Sequence, residues 1–144
     1  MREILFRGKR KDNGDWVQGN LFVDDTGEEC EILVGYTNYR IAWEVIPESV
    51  SEFTGLTDKN GKKIFEGDIL RYFDNEIQVV KWDKDFASLM LYTYAEYERK
   101  KGRKVVKEKT EGWNWICDYP LNEMSIIGNI HDNPELLNRE VRIC

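Results

Sequence analysis

Histidine occurs once in this chain of 144 residues, cysteine three times and proline three times. The single histidine, His131, cannot build a multi-histidine metal site, and one imidazole without evident partners leaves no Ser-His-Asp set. It stands just before a helix start, where a solvated or capping role suits it. The cysteines Cys30, Cys117 and Cys144 are odd in number and far apart. That pattern lacks both a disulfide framework and zinc spacing, and predicts reduced thiols in the cytoplasm of a host cell. Cys144 ends the chain at the wrong position for prenylation. Apolar runs are only a few residues long, too short to span a membrane. No apolar stretch follows Met1-Arg2-Glu3, so no secretory leader is expected. Walker loop, dinucleotide glycine fingerprint and HExxH are all missing. The sequence therefore predicts neither a catalytic residue, nor a cofactor, nor a structural metal.

What is present is an ordinary soluble composition. Hydrophobic residues make up 41% and charged residues 33%, which argues against wholesale disorder. The length predicts one domain over residues 1–144 with a core of its own. The formal net charge is -6, from 27 acidic and 21 basic residues. A nonspecific binder of duplex nucleic acid is more often basic, so this balance weighs against that class.

The densest mixture of turn signals and core residues is Phe53 to Tyr72. Gly55 lies between apolar Phe53 and Leu56 and predicts a bend. Thr57-Asp58-Lys59-Asn60-Gly61 is a polar turn, and Asn60-Gly61 suits the two left-handed positions of a type I′ hairpin. Ile64-Phe65 resumes the apolar pattern, Glu66-Gly67-Asp68 interrupts it, and Ile69 to Tyr72 reads as a strand. Gly55, Gly61 and Gly67 mark backbone positions of special geometry. The Asp68 carboxylate is expected to accept N–H groups of its own turn rather than to act as a catalytic base. Glu66 and Asp68 would share a face two residues apart on a strand, as a pair of catalytic carboxylates could, but a polar turn is the better explanation of them.

This stretch resembles the signature of the YopX family of phage and prophage proteins. Two further pieces agree with the resemblance. Arg2-Glu3-Ile4-Leu5-Phe6-Arg7-Gly8-Lys9 with Trp16-Val17-Gln18-Gly19 is similar to the family's amino end. Ile127-Gly128-Asn129-Ile130, then Asn133-Pro134-Glu135-Leu136-Leu137, is similar to its carboxyl end. The resemblance covers nearly the whole chain. It implies a phage or prophage origin and a shared fold, and it carries over no catalytic residue, because the family has no established activity.

Elsewhere the chain alternates short apolar runs with Gly and Asn turns. Asn13-Gly14 predicts a hairpin between Ile4-Leu5-Phe6 and the strand from Trp16 to Val23. An acidic loop follows at 24–29, then strands over Glu31 to Val34 and Tyr39 to Val45. Pro47-Glu48-Ser49 suits a single helical or 3₁₀ turn. Asp74-Asn75-Glu76 reads as a turn and Ile77 to Trp82 as a clear strand. The aromatics of 86–97 favour a strand over a buried helix. Ser125 to Ile130 is the last strand, and Pro134 opens a short helix capped by Asp132 or Asn133. Gly67-Asp68-Ile69-Leu70 before Ile77 to Trp82 resembles the Gly-Asp-x-Val hairpin of SH3-like small barrels. The expected fold is mainly β: a small antiparallel, partly SH3-like barrel with added hairpins and one or two short helices.

One segment stands out by charge. Residues 98–109 hold seven basic side chains, among them Arg99, Lys100, Lys101, Arg103, Lys104 and Lys107, against Glu98 and Glu108. Gly102 sits where a hairpin would turn. Tyr92, Tyr94, Tyr97, Trp113 and Trp115 lie to either side. Cations flanked by aromatics suit single-stranded nucleic acid, whose bases offer faces and whose linkages offer charge. Charged hairpin tips also blunt exposed sheet edges, and such aromatics also fill cores. The sequence therefore carries two functional expectations. One is a non-catalytic binding or regulatory module acting on a protein partner or on itself as an oligomer. The other is a single-stranded nucleic-acid-binding module using the hairpin with Trp113 and Trp115.

Overall fold

The computed structural model describes residues 2–36, 38–72, 76–100, 103–108, 112–116 and 120–137, with backbone alone at 36, 93–100, 103–108 and 112–115. The chain forms two compact units, residues 1–55 and 56–144. The expected mainly β architecture is present, as two antiparallel sheets, with no closed barrel among the described residues. The helical content among the described residues is short 3₁₀ turns, such as Pro47–Ser49, Leu121–Glu123 and Pro134–Leu136.

In the first unit, β1 (Phe6–Lys9), β2 (Trp16–Val23), β3 (Cys30–Tyr36) and β4 (Arg40–Val45) follow one another as antiparallel neighbours. The start of β5 (Ser51–Thr57) pairs with the other edge of β1. One sheet face carries Cys30, Ile32 and Val45, packed against Phe6, Val17, Leu21 and Val50. The sheet curls until Arg10 meets Val45 in an isolated bridge, with Lys11 N–H on the Glu44 carbonyl and Ile46 N–H on the Lys9 carbonyl. The curl is tight because glycines let the backbones approach. A Cβ on Gly8 would lie 2.9 Å from the Val45 Cβ, and one on Gly19 would lie 2.0 Å from the Leu33 carbonyl oxygen. The buried Arg7 donates from Nε to Ser51 Oγ at 3.1 Å and lays its guanidinium 4.8 Å from the Trp16 ring centre.

In the second unit, the sheet runs β10 (Arg103–Glu108), β9 (Ser88–Lys100), β8 (Glu76–Asp83), β7 (Asp68–Tyr72), β12 (Ser125–Asn129). β6 is the short strand Lys63–Phe65, and β11 (Gly112–Trp115) also pairs with β9. The sheet is packed on both faces. Leu70, Val80 and Leu91 join Ile64, Leu121 and Met124 on one side, while Ile69, Ile77 and Val79 meet Ile127, Ile130 and Leu136 on the other. Burial of both faces explains why Ile69-Leu70 and Val79-Val80 read as continuous apolar runs, not as an alternation.

Both Asn-Gly pairs turn as expected, with φ of +76° at Gly14 and +77° at Gly61. Their geometry corrects the type I′ expectation, since neither Asn13 nor Asn60 has a positive φ. Gly61 N–H reaches the Asp58 carbonyl at 3.0 Å, and Asp58 N–H reaches the Lys62 carbonyl at 2.8 Å. This is a β-turn closed by one left-handed glycine, the three-residue hairpin link. At the first turn Gly14 N–H spans back to the Arg10 carbonyl, which makes a four-residue link. Side-chain acceptors impose both forms. Asp58 Oδ1 takes the N–H groups of Asn60 and Lys62, and Asn13 Oδ1 takes that of Asp15.

The carboxyl-end pattern is also a local network. Asn129 Oδ1 accepts from the N–H groups of His131 and Asp132, and Asn133 Oδ1 accepts from Asn129 N–H. The expected cap of the last helix by Asp132 or Asn133 is absent, because the Asn133 side chain is turned back to Asn129 instead. Only Pro134 at the first helical position matches the expectation. The expected turn at Asp74-Asn75 lies outside the described residues.

Candidate interaction surfaces

Asp68 is buried and its Oδ2 accepts Phe65 N–H at 2.8 Å, closing the Glu66-Gly67 turn as the sequence implied. Gly67 has φ +87° and Gly55 has φ +86°. Asp58, only 4% exposed, reaches further than its own turn: its Oδ2 accepts Ile126 N–H at 3.1 Å. Lys59 N–H adds a bond to the Met124 carbonyl. Together they tie this turn to the start of β12. Burial pushes the Asp58 carboxyl up, but the N–H groups of Ile126, Lys62 and Asn60, with the Lys62 cation, outweigh it and hold the group below its usual range.

The basic segment is a hairpin of β9 and β10, as the sequence implied. Lys100 stands across from Arg103 and Arg99 across from Lys104. Two cation pairs therefore face each other directly at the tip. The nearby glutamates do not stand opposite them: Glu98 pairs in register with Val105, and Glu108 with Glu96. Trp113 stands across from Tyr92 and Trp115 across from Met90, so β11 continues along β9 after β10. Lys101, Gly102 and Lys109 lie outside the described residues, as do Cys117 and Cys144. The side chains of Arg99, Lys100, Arg103, Lys104, Lys107, Trp113, Trp115, Tyr94 and Tyr97 are likewise outside the description. The third cysteine, Cys30, is a buried free thiol.

The first unit holds a hollow that sequence reading registered only as an acidic loop. It has a volume of about 290 Å³ and is lined by Phe22, Val23, Asp24, Glu29, Cys30, Glu31 and Glu44. Phe22 and Val23 are 47% and 52% exposed. Phe22, Glu31 and Glu44 form one row across β2, β3 and β4. Arg40 pairs with Glu31 at 2.6 Å and sits 5.1 Å from the Phe22 ring centre. Glu44 has no ion-pair partner among the described residues. Asp24 is engaged by its own loop, accepting from Glu28 N–H, Glu29 N–H and the Thr26 hydroxyl. Those N–H groups are the largest influence holding its carboxyl below the usual range, against the pull of desolvation. The signal for this site is spread over three strands, so only strand pairing assembles it.

The family model for YopX protein matches residues 5–138. The chain belongs to the YopX family. That match runs through both compact units. No curated protein matches the chain. Among solved structures it is similar to protein EF1440 from Enterococcus faecalis, at 23% identity and a TM-score of 0.47, over 95% of this chain and 99% of that one. Among the described residues of this YopX protein no group of three or more His, Cys, Asp or Glu residues is placed to hold a metal ion. No described helix is long and apolar enough to cross a membrane.

Proposed function

We propose that this YopX protein is a non-catalytic binding module of phage or prophage origin, working in the host cytoplasm as one domain over residues 1–144. It acts by contact with a protein surface, in the first place that of another copy of itself. The contact is made by the hairpin that carries Arg99, Lys100, Lys101, Arg103, Lys104 and Lys107. The observation that supports this is the cross-strand register, in which Lys100 faces Arg103 and Arg99 faces Lys104. Like charges directly opposite destabilise a sheet. An anionic partner removes that cost. Analytical ultracentrifugation over a range of protein and salt concentrations tests the reading. Association that weakens with added salt is the expected result, and a monomer at every concentration and salt level sinks it.

A second reading has its own support. β11 brings Trp113 and Trp115 onto the same strand, β9, that carries the hairpin. Single-stranded nucleic acid is bound by aromatics on which bases stack, set beside cations that meet its phosphates. A fluorescence titration with single-stranded oligonucleotides at two salt concentrations decides it. Binding that falls steeply with salt supports this reading, and no binding at low salt retires it.

A further inference from the structure

We infer that the partner surface for the basic hairpin is the acidic hollow at the ends of β2, β3 and β4 on a second copy of this chain. The inference rests on the self-association reading above and names the surface that receives the hairpin.

Charge is unevenly divided along the chain. Residues 1–55 hold eleven of the acidic residues and six of the basic ones. Five carboxylates fall within 24–31, a run without a single cation. In the sequence, residues 99–104 include five cations and no carboxylate. The two segments are complementary in sign.

They also share an unusual feature of register. On the hairpin, cation faces cation at Lys100–Arg103 and Arg99–Lys104. In the hollow, Glu31 faces Glu44 across β3 and β4. Arg40 pairs with Glu31, whereas Glu44 has no ion-pair partner among the described residues and Glu29 is exposed, so both can take an incoming cation. The like-charged cation pairs weaken their own sheet, and the carboxylates of the hollow relieve them. Exposed Phe22 and Val23 add an apolar floor to the hollow. A net-acidic nucleic-acid strand is repelled by this hollow; a lysine- and arginine-rich strand tip fits it. Donor and receiving surfaces differ, so the contact is heterologous. It closes as a dimer by reciprocal exchange or runs on into longer assemblies.

Two charge-reversed variants of the full chain test this. The first, Glu29→Lys with Glu44→Lys, makes the hollow basic. The second, Lys100→Glu with Arg103→Glu, makes the hairpin acidic. Each alone should self-associate about tenfold more weakly than the parent or worse, because each then presents like charges on both surfaces. An equimolar mixture should associate again, since the acidic hairpin of one variant meets the basic hollow of the other and the two unaltered surfaces also meet. Thermal melting of each variant shows that it is folded, and recovery in the mixture cannot come from unfolded chains. If the parent associates but the mixture stays dissociated, or if the hollow variant associates as the parent does, the hairpin seats elsewhere; this inference falls and the self-association reading stands. If the parent is a monomer throughout and binds oligonucleotides through the hairpin, both fall.

Discussion

The carboxylate of Asp58 accepts the backbone N–H of Ile126, a residue 68 positions later in the chain. The same carboxylate holds the N–H groups of Asn60 and Lys62. One side chain therefore sets the shape of a hairpin turn and ties that turn to β12. Asp58→Ala leaves three N–H groups without this acceptor and should destabilise the protein by about 2–3 kcal/mol, measured by chemical denaturation. Because the folded-state pKa of Asp58 is lowered, its contribution is fully present above the ordinary carboxylate range and is lost as pH falls below about 4 through the folded value. The parent should therefore lose more stability than Asp58→Ala on acidification through that window. Parallel stability curves for the two proteins would show that the linkage is absent.

Gly67 combines a φ of +87° with a crowded site, where an added Cβ would stand 3.3 Å from Ile130 Cγ1. Gly67→Val should cost roughly 1–3 kcal/mol from the backbone alone. A melting temperature equal to the parent's would contradict this.

Ala87 is the one described residue other than glycine with a positive φ, at +48°. It follows a turn fixed by Asp83 Oδ1, which accepts from the N–H groups of Asp85 and Phe86. A left-handed conformation costs an L-residue about 1–2 kcal/mol. Glycine escapes that strain and loses part of the gain to its larger unfolded-state entropy. Ala87→Gly should therefore stabilise the protein by about 0.5–1 kcal/mol in a denaturant titration, and a loss of stability is the contrary result.

The hairpin predicts a conflict between stability and binding. Lys104→Glu converts the like-charged pair with Arg99 into an opposite-charged one. It should raise stability by about 0.2–1 kcal/mol while weakening association. Denaturation and ultracentrifugation on the same sample check both halves, and a variant that loses stability or keeps its association contradicts the prediction.

Much of this architecture is determined by local sequence. Asn13-Gly14, Asn60-Gly61 and Glu66-Gly67-Asp68 mark their turns because a left-handed glycine and a short side-chain acceptor act within a few residues of each other. The runs Ile77 to Trp82 and Leu89 to Tyr92 mark strands because β-branched and aromatic side chains pack on a pleated surface. The basic hairpin is legible for the same reason: charge and a central glycine are both local. What only the tertiary structure decided are relations between distant strands. The form of the Asn-Gly turns depends on which carboxylate reaches which N–H. The second duty of Asp58 depends on Ile126, and no pattern within either segment announces the other. Gly19 has to be glycine because the Leu33 carbonyl closes on it. The hollow arises because register sets Phe22, Glu31 and Glu44 in one row. Register is a property of paired strands, and a shift of one residue would have sent Glu31 to the opposite face.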